Sequence, residues 1–324
     1  MSESITLKAA AEYLQSHDNY YILIHQSPDG DAIGSGYGLC FALRLIGKKA
    51  NVMCSDPIPE KYDFITSRYE PQRFTHSVTI STDLADTRLL GKALSGYSDY
   101  IELAIDHHKS NTGFADKLVL DSSASSACEV VYEILTAGNM QVSLDTAICL
   151  YTGIATDTGC FKYECTTPRC HVIASKLMEQ YNLPIGRINR TLFDIKSMER
   201  LKFETKIISN MQVYLDGKCA VAAITLADLE RYDVKPEDTE GVASLPMQIK
   251  GVEVGITLKE REENKFKVSM RSAEFIDVSE ICAKFGGGGH TRAAGCFIEG
   301  DADQVRMKIL AAIAPIMGMD LWMV

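Results

Sequence analysis

YYILIHQSPDGDAIGSGYGLCFALRLIG, residues 20–47, is the stretch that decides the fold. It opens on an apolar run that closes at His25, the length of a buried strand. Pro28, Asp29, Gly30 and Asp31 carry turn chemistry, so His25 to Gly36 reads as a loop. From Ile33 the apolar residues recur at helical spacing until Gly47. Strand, loop and helix in that order are the unit from which parallel α/β sheets are built.

The same pattern continues outward. Residues 5–16 read as a helix with Ile5, Leu7, Ala10 and Leu14 on one face. Ala50–Cys54, Ser77–Thr82 and Tyr100–His108 read as strands. Ala124–Gly138 and Ser143–Gly159 read as helices. After Ile185 a helix or helix pair runs to Asn210 without a strong turn signal. Beyond it the texture changes: a hairpin around Asp216-Gly217, strands at Val252–Glu260 and Lys265–Ser272, a short helix before Phe285 and a last helix over 301–316. The expected class is α/β: an N-terminal domain with a mainly parallel sheet (1–185), a helical linker (186–210) and a smaller C-terminal α+β domain (211–324).

Composition narrows the function. The net charge of −10 argues against a grip on long duplex nucleic acid, since phosphate neutralisation by Lys and Arg supplies most of that affinity. None of the ten cysteines forms a C-x-x-C pair, and most sit singly in apolar runs, as small buried hydrophobes do. No signal peptide opens the chain and no apolar run is long enough for a membrane span. The expectation is a soluble cytoplasmic protein without a membrane partner, with a homodimer left open.

Four acidic or histidine clusters follow apolar runs, and all are expected on one edge of the sheet. They are His25 with Asp29 and Asp31, then Asp83 with Asp86 as its rival, then Asp106-His107-His108, then Asp157. Taken singly, Asp-Gly-Asp is ordinarily a turn. Together, carboxylates and imidazoles at one edge offer ligands for two divalent metals, and imidazole shifts the preference toward manganese, iron or zinc. In the second half, Gly286, Gly287, Gly288 and Gly289 precede His290 and Arg292. Consecutive glycines let backbone N–H groups converge on an anion. The bland alternative is a flexible loop. Arg271, near the end of its strand, is a candidate to face the same anion, with a plain surface arginine as the alternative.

These residues resemble the DHH superfamily of phosphoesterases. The match lies in His25-x3-Asp29-x-Asp31-x2-Gly34-Ser35, Asp83, Asp106-His107-His108 and Asp157, and the Phe285–Gly295 tail resembles the DHHA1 domain. Length and layout are most similar to the nanoRNase and 3′-phosphoadenosine-5′-phosphate phosphatase subfamily. The resemblance implies a manganese-dependent phosphodiesterase or exoribonuclease acting on RNAs of roughly two to five nucleotides, linear pApA among them, and on 3′-phosphorylated nucleotides. It implies one metal on His25, Asp29 and Asp83, and another on Asp31, Asp83, His107 and Asp157. It further implies His108 at the scissile phosphate, Asp106 behind it, and Arg271, Gly286–Gly289, His290 and Arg292 on the substrate. Thr82 departs from the family, which usually has an apolar residue before that aspartate. A cyclic-dinucleotide phosphodiesterase and a nucleotide-binding regulator without turnover are the competing readings.

Overall fold

The computed structural model describes residues 2–234, 239 and 241–319. Its contacts divide the chain into two compact units, Met1–Ile195 and Lys196–Val324. The division falls inside the segment read as a linker.

The first unit runs β1 (Glu3–Ser4), α1 (Leu7–Ser16), β2 (Tyr20–Leu23), α2 (Gly30–Leu45), β3 (Ala50–Met53), α3 (Asp63–Thr66), β4 (Val78–Thr82), β5 (Leu103–Asp106), β6 (Lys117–Leu120), α4 (Ala127–Ala137), α5 (Leu144–Asp157), α6 (Pro168–Tyr181) and α7 (Ile185–Asn189). Its strands form a six-stranded sheet in the order β1-β6-β5-β4-β2-β3, with every pair parallel. The period of two is visible in β2 and its continuation. Tyr20, Ile22 and Ile24 enter the large core under the helices. Leu23 packs on the opposite face with Leu84, Leu90, Leu94, Ile101 and Ala104. One face is therefore covered by helices and the other by the irregular chain between β4 and β5.

Helix α2 is buried along nearly its whole length, between the sheet and α5. Glycine makes that approach possible. A Cβ at Gly34 would lie 2.5 Å from the carbonyl oxygen of Cys149 and 2.8 Å from Cys128 Sγ. The helix also starts earlier than its apolar periodicity suggests. Asp29 is its N-cap, accepting from the N–H groups of Asp31 and Ala32 at 3.0 and 3.1 Å. Gly30 and Asp31 are thus the first helical turn, not part of a loop.

The second unit runs α8 (Met198–Ser209), β7 (Gln212–Tyr214), β8 (Cys219–Ile224), α9 (Leu226–Arg231), β9 (Val254–Glu262), β10 (Lys265–Ser272), α10 (Val278–Ala283), β11 (Gly288–His290), β12 (Ala293–Glu299) and α11 (Ala302–Ile313). Its sheet has the order β11-β12-β10-β9-β8-β7 and is antiparallel except at β8–β9. Phe203 and Ile207 of α8 pack on Ala222 and Ile224 of β8. Helices α10 and α11 cover the other face through Ile281, Val305 and Ile309.

The two-domain α/β plan with a mixed second sheet matches the sequence expectation. Beyond the early start of α2, several details differ. Strands β1 and β6 are too short and too exposed to show an alternation. Helix α6 went unread. The glycine run is not wholly a loop, because Gly288–His290 pairs with β12 as an edge strand. No helix of the described residues is long and apolar enough to cross a membrane.

Candidate metal centre

The acidic and histidine clusters meet at the C-terminal edge of the first sheet, where ligands bind in parallel α/β folds. His25 follows β2, Asp83 follows β4, and Asp106 ends β5 with His107 and His108 after it. Asp29 and Asp31 come from the start of α2. Asp157 departs from the strand-edge expectation: it is the last residue of α5, and the packing of α5 on α2 carries it to the same place.

The distances define the centre. His25 Nε2 lies 3.8 Å from Asp29 Oδ1 and 3.7 Å from Asp83 Oδ2. His107 Nε2 lies 3.7 Å from Asp31 Oδ2, 3.6 Å from Asp83 Oδ1 and 3.4 Å from Asp157 Oδ2. His25, Asp29 and Asp83 form one group able to hold a metal, and Asp31, His107 and Asp157 form another with no shared residue. Asp83, His107 and His108 form a third grouping that overlaps both. Asp86, the rival of Asp83, is occupied elsewhere: it caps the turn at Thr87–Leu90 and pairs with Arg88 at 2.8 Å.

Neighbouring groups aim the histidines. The Nδ1 of His25 is 2.7 Å from the carbonyl oxygen of Gln26, which only accepts, so that nitrogen carries the proton and Nε2 is left as a ligand. The carbonyl of Ala124 does the same for His107 at 3.3 Å. Asp106 is fully buried and both its oxygens accept hydrogen bonds. Its Oδ1 accepts from the N–H of His107 and from His108 Nδ1, both at 2.8 Å, and its Oδ2 accepts from Asn111 Nδ2 at 2.7 Å. These bonds tie it to both histidines.

Burial, and then the neighbouring Asp31, push Asp83 well above the usual carboxylate range. The same two causes raise Asp157 to about 8. Burial raises Asp31 as well, although the N–H groups of Ala127 and Cys128 donate to it at 2.6 and 2.9 Å. Burial opposes charge on His25, yet its contacts with Asp29 and Asp83 outweigh that and push it to about 11. The Oδ1 of Asp83 is buried with no hydrogen-bond partner. Crowded carboxylates and a buried orphan acceptor fit dications, which relieve both. Manganese at a thousandfold excess over its Kd adds about 4 kcal/mol of stability per site. Thermal unfolding should therefore rise by about 8–16 °C per site. Equal midpoints with chelator and with manganese would refute the centre.

Two supports escaped the sequence reading. Asn111 is one. The other is Arg169 on α6, which pairs with Asp121 at 2.7 Å, with Glu133 at 3.4 Å and with the fully buried Glu129. Glu129 in turn accepts from the Ser125 N–H and hydroxyl at 2.9 and 2.6 Å. This network holds the residues that present the Ala124 carbonyl to His107 and the α4 N-terminus to Asp31. Ser126-x-x-Glu129 has the spacing of a capping box, a pattern visible in the sequence.

In the second unit, Arg271 pairs across the sheet with Ala293, which pairs with His290. Arg271 and His290 therefore share one row. The Arg292 guanidinium donates to the carbonyls of Glu274 and Ile276. Close packing accounts for part of the glycine run: a Cβ at Gly289 would lie 2.5 Å from the Ala293 carbonyl.

Known families match this layout. The model of the DHH family N-terminal domain matches residues 19–154, and that of the DHHA1 domain matches residues 216–317. The bifunctional oligoribonuclease and PAP phosphatase NrnA of Thermus thermophilus is 30% identical over 95% of this chain and 93% of its own length. The chain belongs to the DHH/DHHA1 family. Among DHH/DHHA1 proteins it is NrnA-like, since the Bacillus subtilis NrnA is also similar, with 26% identity over 87% of this chain and 90% of that one. A similar fold is seen in the crystal structure of an exopolyphosphatase-related protein from Bacteroides fragilis. It has a TM-score of 0.83 and 26% identity, and 94% of each chain is covered.

Proposed function

We propose that the chain is a two-metal phosphoesterase. It releases mononucleotides from RNAs of roughly two to five nucleotides, including pApA, and removes the 3′-phosphate of 3′-phosphoadenosine-5′-phosphate. The observation that carries this reading is the position of Asp83, whose two oxygens face His25 and His107, one from each non-overlapping ligand group. That geometry suits a bridging carboxylate in a chain 30% identical to an oligoribonuclease.

In this reading His25, Asp29 and Asp83 hold one ion, and Asp31, Asp83, His107 and Asp157 hold the other. Mixed imidazole and carboxylate ligands suit manganese, iron or zinc, and the family resemblance selects manganese among them. Two such ions polarise the phosphoryl group, ready the nucleophile and stabilise the leaving oxygen. The chain does the rest. Asp106 holds His108 by its Nδ1 and leaves Nε2 free for the scissile phosphate. Arg271, the glycine segment and His290 receive the substrate's terminal phosphate or base.

Purified protein with manganese should release mononucleotides from a dinucleotide. The rate per end should fall steeply beyond about five nucleotides, since the −10 net charge gives a long strand little attraction. Equal rates per end on a dinucleotide and on a strand of about two dozen nucleotides would refute the length limit. Binding without turnover on any short RNA would favour the regulator, and ring opening of a cyclic dinucleotide the third reading.

A further inference from the structure

The loop between β10 and α10, residues 273–277, is held from both sides of its backbone. The Glu253 carboxylate is buried, 4% exposed, and accepts from three consecutive N–H groups: Glu274 at 3.2 Å, Phe275 at 2.8 Å and Ile276 at 3.0 Å. Arg292 donates to the carbonyls of Glu274 and Ile276. The Ser272 hydroxyl donates to the Ile276 carbonyl at 2.6 Å, and Ile276 is itself buried. At the two ends, Ser272 N–H donates to the Arg292 carbonyl at 3.2 Å and Val278 N–H to the Thr291 carbonyl at 3.0 Å.

Such a clamp is costly unless the geometry matters. A buried carboxylate needs its donors, and both sets of polar groups here fix one short turn. The turn presents Phe275, which is 64% exposed and belongs to no hydrophobic cluster of the described residues. A lone exposed Phe on a mobile loop would call for no explanation. A phenyl ring on a backbone fixed by six hydrogen bonds or more is preorganised.

Its surroundings indicate what it meets. Phe275 stands four residues after Arg271, and its loop is hydrogen-bonded to Thr291 and Arg292, which directly follow His290. Arg271 and His290 share a row across the sheet. A guanidinium, an imidazole and an exposed apolar ring on neighbouring segments of one sheet edge answer the three parts of a nucleotide: phosphate, polar edge and base face. We infer that Phe275 is a stacking platform for a substrate nucleobase, with Glu253 and Arg292 as the positioning residues that hold it. The inference rests on the proposed action on nucleotides and adds a base subsite to it. It also gives Arg292 a role distinct from direct contact with substrate.

The test compares AMP with ribose 5-phosphate, which shares the phosphate but lacks the base. Calorimetry on manganese-loaded protein should show AMP binding about tenfold or more tighter, the scale of one base on one aromatic ring. Phe275→Ala should lose that preference, bind ribose 5-phosphate unchanged, and raise the KM of a dinucleotide about tenfold with little change in kcat. Phe275→Trp should keep the preference, and its added fluorescence should be quenched by AMP and not by ribose 5-phosphate. Unchanged AMP binding in Phe275→Ala would overturn the inference. So would an equal loss of ribose 5-phosphate, no AMP preference in the parent protein, or a change of oligomeric state on substitution. If AMP preference depends on Phe275 but no short RNA is cleaved, the activity fails and the base subsite stands. If dinucleotides are cleaved with a KM indifferent to Phe275, the reverse holds.

Discussion

Replacement of Asp83 by alanine is expected to lower turnover on the order of 10⁴-fold or more, as removal of a member of an interdependent set does. It should also weaken both metal sites together. Asp83 reaches both groups, with Oδ2 3.7 Å from His25 and Oδ1 3.6 Å from His107. The effect on the metal-free fold should be small or reversed. Asp83 is buried, its charge is opposed by burial and by Asp31, and one oxygen has no partner. Alanine removes that burden and retains only the left-handed backbone, φ 55°, which costs about 1 kcal/mol. The variant should therefore melt near the parent in chelator and gain little from manganese. Asp86→Ala should behave as the parent, since Asp86 is engaged with Arg88 at the surface. A dead Asp86→Ala beside a normal Asp83→Ala would reverse the assignment.

His108→Ala is expected to retain both metals and lose rate by about 10²–10⁴-fold, the scale of a proton-transfer or charge-stabilising group. The ring is 43% exposed, unlike the 14% of His107, so it faces the opening of the site. Its hydrogen bond to Asp106, 2.8 Å from Nδ1 to Oδ1, outweighs burial and raises its pKa. Asp106 remains ionised: burial would raise it, but the bonds from His108 and Asn111 hold it below the usual carboxylate range. A charged partner behind the ring favours a proton kept on the imidazole. Metal content by mass spectrometry decides between this role and ligation. Loss of one ion per chain in His108→Ala would place His108 in the grouping with Asp83 and His107 instead.

Local chemistry made part of this legible in the sequence. Apolar runs ending in acids or histidines marked His25, Asp83 and the Asp106 triplet, because a buried strand must emerge where its side chains turn polar. Asp157 was legible as a residue and not as a position, since its place depends on how α5 packs across α2. The start of α2 was obscured because Asp29 serves as N-cap, a role that looks like a turn. Arg169 and Asn111 act through partners distant in sequence or through one bond to Asp106, and no spacing announces them. The glycine run was ambiguous for a physical reason. Glycine is needed wherever backbone comes close, and at Gly289 the close neighbour is β12. Thr82 looked like a departure from the family and proves to be fully buried with its hydroxyl unpartnered.

The candidate ligands span residues 25 to 157, all within the first unit. A chain made from its N-terminus on the ribosome therefore exposes His25 and Asp31 long before Asp157 exists. Until α5 has emerged and packed on α2, the nascent centre is a set of mutually repelling acids. Metal capture then becomes a late step in the synthesis of this unit, completed by its fifth helix. None of these candidate ligands comes from the described residues of 196–324, which are still being made.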